Sequence, residues 1–185
     1  GPMNPSTNHE AGLLIEGFED TPSVMMTYNP PYYAKLFEQN GLAKSKDLFA
    51  YIIDQRTSKF SERLVKHAER VSKRKGIVFR AVRMNEFEAE VDRILEIYND
   101  AWEKNWGFVP MTTEEFRHMA KDMKMIVDPE LLLIAEINGE AVAFGLALPD
   151  VNQIFYKIKD GKLLPTGLAK LLWNLKGPGR RKTMN

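Results

Sequence analysis

Along this chain, apolar residues recur at helical spacing in some stretches and gather into short blocks in others. Phe87, Val91, Ile94, Leu95, Tyr98, Ala101 and Trp102 form one stripe, with Glu86, Glu90, Arg93, Glu96, Asp100 and Glu103 on the opposite face. Asn85 and Glu88 have the spacing of a capping box and predict the start of that helix. Thr112 and Glu115 repeat the spacing ahead of Phe116, Met119, Ala120, Met123 and Ile126, and Asp128-Pro129 ends the second helix. Residues 77 to 82 read as a strand. Residues 131 to 137 and 140 to 148 read as two strands joined by Asn138-Gly139, a dipeptide that accepts the positive φ of a tight hairpin turn. Both are apolar on both faces, which predicts cover on both sides of the sheet.

The flanking stretches are less regular. Residues 1 to 30 are dense in Asn, Pro, Gly and Thr, with apolar bursts at 13 to 15 and 24 to 26, and predict short strands or ordered loops. Pro30 and Pro31 open a helix over 32 to 39 that Asn40-Gly41 stops. Residues 48 to 54, rich in Phe, Tyr and Ile, predict a strand. Residues 57 to 75 predict a basic amphipathic helix ending at Gly76. Phe60, Leu64, Val65, Ala68 and Val71 face Arg63, Lys66, Arg70, Lys73, Arg74 and Lys75, with Arg56 and Lys59 adding to the charge. It reads either as a solvated connector or as a contact for an anionic surface, nucleic acid or membrane. Residues 163 to 175 predict a last helix carrying Trp173, and the run from Gly177 through Arg180, Arg181 and Lys182 reads as a loop.

Composition narrows the classes. With 44% apolar and 28% charged residues, the 185-residue chain reads as globular. Its 26 basic and 25 acidic residues give no overall field that calls for nucleic acid, so no such partner is expected. The absence of Cys excludes disulfides and thiolate metal sites. No apolar run reaches the roughly 20 residues of a membrane span. The first residues lack a basic-then-apolar secretion signal, and the expected location is cytoplasmic. His9, His67 and His118 have no zinc-like spacing, so no metal site is assigned. Neither a Ser-His-Asp set nor a carboxylate pair emerges, and catalytic residues stay unassigned.

Strand, helix, helix, strand, strand over residues 77 to 148 resembles the opening order of the GNAT (acetyltransferase) fold. The runs Asn105-Trp106-Gly107-Phe108-Val109-Pro110, Leu148-Pro149-Asp150-Val151-Asn152-Gln153 and Leu163-Leu164-Pro165-Thr166-Gly167-Leu168 are similar to a bacterial branch of GNAT-like proteins with tandem units. Asn29, then Leu36-Phe37-Glu38-Gln39-Asn40-Gly41-Leu42, is similar to the run that closes a GNAT domain. The resemblance implies an α+β fold, a mostly antiparallel sheet flanked by helices, present here incompletely. Residues 1–56 would be the tail of one unit, 57–76 a basic helical connector and 77–185 the head of a second. The chain is then expected to be an internal or truncated portion.

The implied activity is transfer of an acetyl group from acetyl-CoA to an amine, with a small-molecule amine or a peptide as acceptor in the full-length relative. Its rival is a non-catalytic GNAT-like scaffold or ligand-binding protein. The resemblance puts Asn105, Trp106 and Phe108 on the acceptor side, where Trp106 and Phe108 equally well staple two helices. Asp150 and Asn152 follow the hairpin and either orient an amine or form a turn. Asn29 falls to the cofactor side. Glu136 either finds a buried partner, with a general-base role open to it, or points outward near the turn. Two departures from the family pattern matter. There is no Arg-x-x-Gly-x-Gly/Ala loop to hold a pyrophosphate, so this portion is expected to bind acetyl-CoA weakly or not at all. Phe37 stands where the family often has a Tyr that protonates the leaving thiolate. With no further strand predicted after residue 148, the outer edge of 142 to 148 is expected to be covered by 163 to 175, by 1 to 30, or by self-association.

Overall fold

Asn138 and Gly139 both take positive φ, 53° and 82°, and the hairpin they close organises the sheet. In the computed structural model, which describes residues 3–4, 6–23, 25–54, 61–124, 126–156, 158, 162, 164 and 166–176, that hairpin joins β4 (Leu132–Ile137) to β5 (Glu140–Leu146). β3 (Ile77–Ala81) pairs antiparallel with β4, so the order is β3-β4-β5, with a register shift between Ala135 and Glu136. Two residues each form β1 (Met3–Asn4) and β2 (Glu10–Ala11), a separate small antiparallel pair.

The helices between β3 and β4 supply the core. A 3-10 turn at Met84–Glu86 leads into α3 (Phe87–Trp102), and no side chain caps that helix, so the predicted Asn85 and Glu88 box does not form. The turn moves the helix start past Asn85, which puts its side chain out of reach of the orphan N–H groups. At α4 (Thr113–Met123) the Thr112 and Glu115 box forms in both directions. Val91, Ile94 and Leu95 of α3 and Phe116 of α4 bury against Val82, Leu132 and Ile134. The architecture is α+β, an antiparallel sheet flanked by helices.

Cover on both sides of the sheet was the expectation, and here the structure differs. Residues paired across strands share a face. Arg80, Ile134 and Phe144 therefore face the helices, while Phe79, Ala135 and Ala143 share the other face with Ala81, Leu133 and Gly145. On that second face Phe79 is 61% exposed, and no described helix covers it. Nor does any described strand pair with the outer edge of β5. α6 (Thr166–Lys176), predicted as one cover, packs on α5 (Asn152–Phe155), and Trp173 is exposed.

The predicted strand over 48 to 54 is also corrected. Those residues have no regular structure, and Ile52 is 93% exposed. A strand needs a neighbour for its backbone groups, and residues 48 to 54 pair with none of the described strands. The helix predicted over 32 to 39 is α1 (Tyr33–Gln39), ended by Gly41 at φ 76°. Of the basic helix predicted over 57 to 75, α2 (Glu62–Lys75) forms after a non-helical Ser61 and stops at left-handed Gly76. Phe60 and residues 57 to 59 lie outside the described residues, as do Val24, Leu163 and the loop over 177 to 182.

Candidate functional site

The loop after α3 turns twice in quick succession. Asn105 N–H donates to the Trp102 carbonyl (2.8 Å) and Phe108 N–H to the Asn105 carbonyl (3.2 Å), with Gly107 at φ 71°. The Phe108 ring then meets Tyr98 edge-on at 5.7 Å, and Tyr98 stacks in turn against Trp102 and Phe116 at 5.9 and 6.1 Å. Phe108 therefore packs on α3, and Tyr98 carries the contact on to Phe116 of α4. Trp106 does not join that cluster. It stands 53% exposed, with the Lys46 ammonium 4.9 Å from its ring centre, and Asn105 is exposed beside it. The far end of the loop is fixed by Asn99, whose amide donates to the Met111 carbonyl (3.1 Å) and accepts from Met111 N–H (3.0 Å).

Residues 7 to 9 lace this loop from outside. Thr7 Oγ1 donates to the Gly107 carbonyl (2.9 Å) and Asn8 Nδ2 to the Val109 carbonyl (2.7 Å). Tyr98 donates its hydroxyl proton to Asn8 Oδ1 (2.9 Å), and His9 Nε2 lies 2.8 Å from Glu115 Oε1. Burial, and then the charge of Glu115, raises the Tyr98 hydroxyl above its ordinary 10.0. The phenol stays protonated and serves as a donor.

The other predicted residues sit in two further places, each tied to the same N-terminal stretch. Asp150 Oδ1 accepts from Asn152 N–H (3.1 Å) in the turn that starts α5. Asn152 Nδ2 donates to the Pro22 carbonyl (2.6 Å), and the Thr21 and Tyr156 hydroxyls are hydrogen-bonded nearby. Asn29 is buried. Its Oδ1 accepts from Leu14 N–H (2.7 Å), and its Nδ2 donates to the Leu14 and Pro30 carbonyls (3.3 and 3.0 Å). Asn29 thus closes residues 14 to 29 on themselves. Residues 7 to 29 touch all three groups, but no described hydrogen bond joins one group directly to another. Of the predicted site residues, Trp106, Asn105 and Asp150 face solvent.

A buried charge cluster escaped the sequence pattern. Glu90, predicted on the polar face of α3, is 0% exposed. It sits over β3, where Arg80 Nη1 donates to its Oε2 (2.9 Å) and Arg93 Nη1 to its Oε1 (2.7 Å). Arg80 Nε reaches Glu136 Oε1 at 2.6 Å, so Glu136 points into this cluster and not outward near the turn. Two carboxylates meet two guanidiniums. The hydrogen bond from Glu90 leads the causes that hold Arg80 above its ordinary range, despite the opposing cost of burial. Both Glu90 oxygens are occupied by Arg donors, so the cluster fastens α3 to the sheet. The signal in the sequence was Arg80, a lone charge within an apolar strand.

A concavity of about 780 Å³ lies elsewhere, against Ser61 to Leu64, Lys66, His67 and Arg70. Among the described residues, α2 and Ser61 supply its lining. Among the described residues, no group of three or more His, Asp or Glu side chains is arranged to hold a metal ion. Nor is any described helix long and apolar enough to cross a membrane.

No family model and no solved structure matches the chain. Two curated proteins are similar to it along nearly its whole length. One, named bacterial ceramide synthase, from Caulobacter vibrioides, is 44% identical over 182 residues, 97% of this chain and 46% of that protein. The other, named Protein YghO, from Escherichia coli, is 40% identical over 181 residues, 98% of this chain and 46% of that protein. The chain therefore spans about half the length of the curated relatives it matches.

Proposed function

We propose that this chain is part of an N-acyltransferase that joins an acyl group to the amine of a long-chain acceptor. One observation carries the reading: similarity at 44% identity runs along the whole chain, and not through one motif, to a protein named a ceramide synthase. A ceramide is an amide of a fatty acyl group and a long-chain amino alcohol, so making one acylates an amine. The order β3, α3, α4, β4, β5 agrees with the GNAT resemblance, which assigns the 105 to 108 loop to the acceptor side. The expectation of acetyl-CoA broadens to acyl-CoA, because a ceramide carries a long acyl chain.

The chain's own part is acceptor positioning. An amine held beside the thioester attacks its carbonyl carbon directly, and orientation supplies much of the rate. Exposed Trp106 offers an apolar face to an alkyl chain, and Asn105 offers hydrogen bonds to a hydroxylated amine head. The described residues do not fit a CoA pyrophosphate, because none forms a glycine-rich loop of backbone N–H groups at a helix N-terminus. No donor-side step is assigned to them. Phe37 favours a second reading, a scaffold that binds the acceptor without catalysis, since phenylalanine has no proton for a leaving thiolate.

A chimera tests the proposal. In the Caulobacter protein, the matched segment is replaced by this chain, and amide formation from acyl-CoA and a long-chain amino alcohol is followed by mass spectrometry. The proposal expects the amide. A chimera folded by circular dichroism that makes none contradicts it.

A further inference from the structure

Helix α2 separates most of its residue types, with Ser72 and Lys75 of its last turn falling on the apolar side. At about 100° per residue, Leu64, Val65, Ala68 and Val71 fall within one arc about 120° wide. Arg63, Lys66, Arg70, Lys73 and Arg74 fill the opposite side. Six Lys and Arg stand against Glu62 and Glu69, and Lys66 reaches Glu62 at 3.3 Å. Arg70, Lys73 and Arg74 have no acidic partner among the described residues. Such a helix on a globular protein ordinarily buries its apolar arc. Here no residue of α2 is buried, and Leu64 and Val65 are 59% and 47% exposed.

We infer that α2 lies flat on an anionic lipid surface, its apolar arc among the acyl chains and its basic side among the phosphates. Charge alone would suit nucleic acid equally well. The apolar arc decides between them, because a nucleic-acid contact leaves Leu64 and Val65 facing water, whereas a lipid surface takes both halves of the helix. The exposed stretch that precedes α2 in the chain, with Phe49, Tyr51, Ile52 and Ile53, adds aromatic and apolar groups of the kind that settle at a membrane interface. This inference rests on the helix alone, so it can fail while the acyl-transfer reading stands.

Co-sedimentation of the chain with vesicles tests it. Vesicles of about three parts zwitterionic to one part anionic phospholipid should bind the chain, more weakly as salt is added, and zwitterionic vesicles about tenfold less. Replacing Lys66, Arg70 and Lys73 together by Ala should lower affinity about a hundredfold. The pair Leu64→Glu and Val65→Glu, at exposed positions and checked for helicity by circular dichroism, should abolish binding as well. Absence of vesicle binding overturns the inference, as does binding that the Leu64 and Val65 pair leaves intact. Tight binding to mixed-sequence RNA in place of vesicles overturns it in favour of a nucleic-acid partner.

Discussion

Glu90 shows what one buried charge does in this molecule. Both its oxygens accept from arginines on different elements, so Glu90→Ala strands Arg80 beside Glu136 and breaks the tie between α3 and the sheet. Chemical denaturation should show a loss of about 3–5 kcal/mol; a loss below about 1 kcal/mol would mean the cluster relaxes into water. Tyr98 gives a second prediction, with a definite sign. Its folded value is raised, so the stability linked to it is complete below the unfolded value of 10.0 and is lost as pH climbs through the folded value. Tyr98→Phe should flatten the fall in stability above pH 10.0 relative to the unsubstituted chain. Parallel alkaline profiles would show that Tyr98 ionises as freely in the fold as out of it. Neither residue was legible at this scale. Glu90 lies among Glu86, Arg93 and Glu96 in a pattern typical of a solvated face, and only the packing of α3 over Arg80 distinguishes it. The laces to the loop join residues 100, 101 and 106 positions apart, beyond any local signal.

At the scale of elements, three of the short-range signals, whose partners lie within a few residues, form as predicted. The Asn138-Gly139 turn, the Thr112 and Glu115 box and the Gly76 stop need no distant partner, and all three form. The Asn85 and Glu88 box has the same spacing and fails, because a 3-10 turn takes the place of its cap. Residues 48 to 54 have strand composition and pair with no described strand. Composition states a preference, while pairing needs a neighbour. The open sheet face carries Phe79 on β3 and Leu133 on β4, and no described strand pairs with the outer edge of β3 or of β5. Contiguous apolar surface of that kind, next to unpaired backbone, draws a partner. Sedimentation should therefore show mass rising with concentration, and Phe79→Lys with Leu133→Lys should reduce the rise. A monomer at every concentration would place cover on that face.

For the molecule as a whole, the N-terminal stretch gives the predicted residues a common setting. Residues 7 to 29 bond to the aromatic loop, to Asn29 and to Asn152, so the segment read as the tail of an earlier unit is hydrogen-bonded to the sheet unit that begins at Ile77. The site this leaves is small. Phe108 packs on Tyr98, Asn29 bonds Leu14 and Asn152 bonds Pro22, which leaves Trp106, Asn105 and Asp150 facing solvent. In the proposed acyl transfer, the loop over 105 to 108 holds the acceptor amine. The most direct test of that role is the Michaelis constant for the long-chain amine in the ceramide-synthase chimera carrying Trp106→Ala. A rise of about tenfold or more, with the constant for acyl-CoA unchanged, is the predicted result. An unchanged constant for the amine in a folded, active chimera would contradict it.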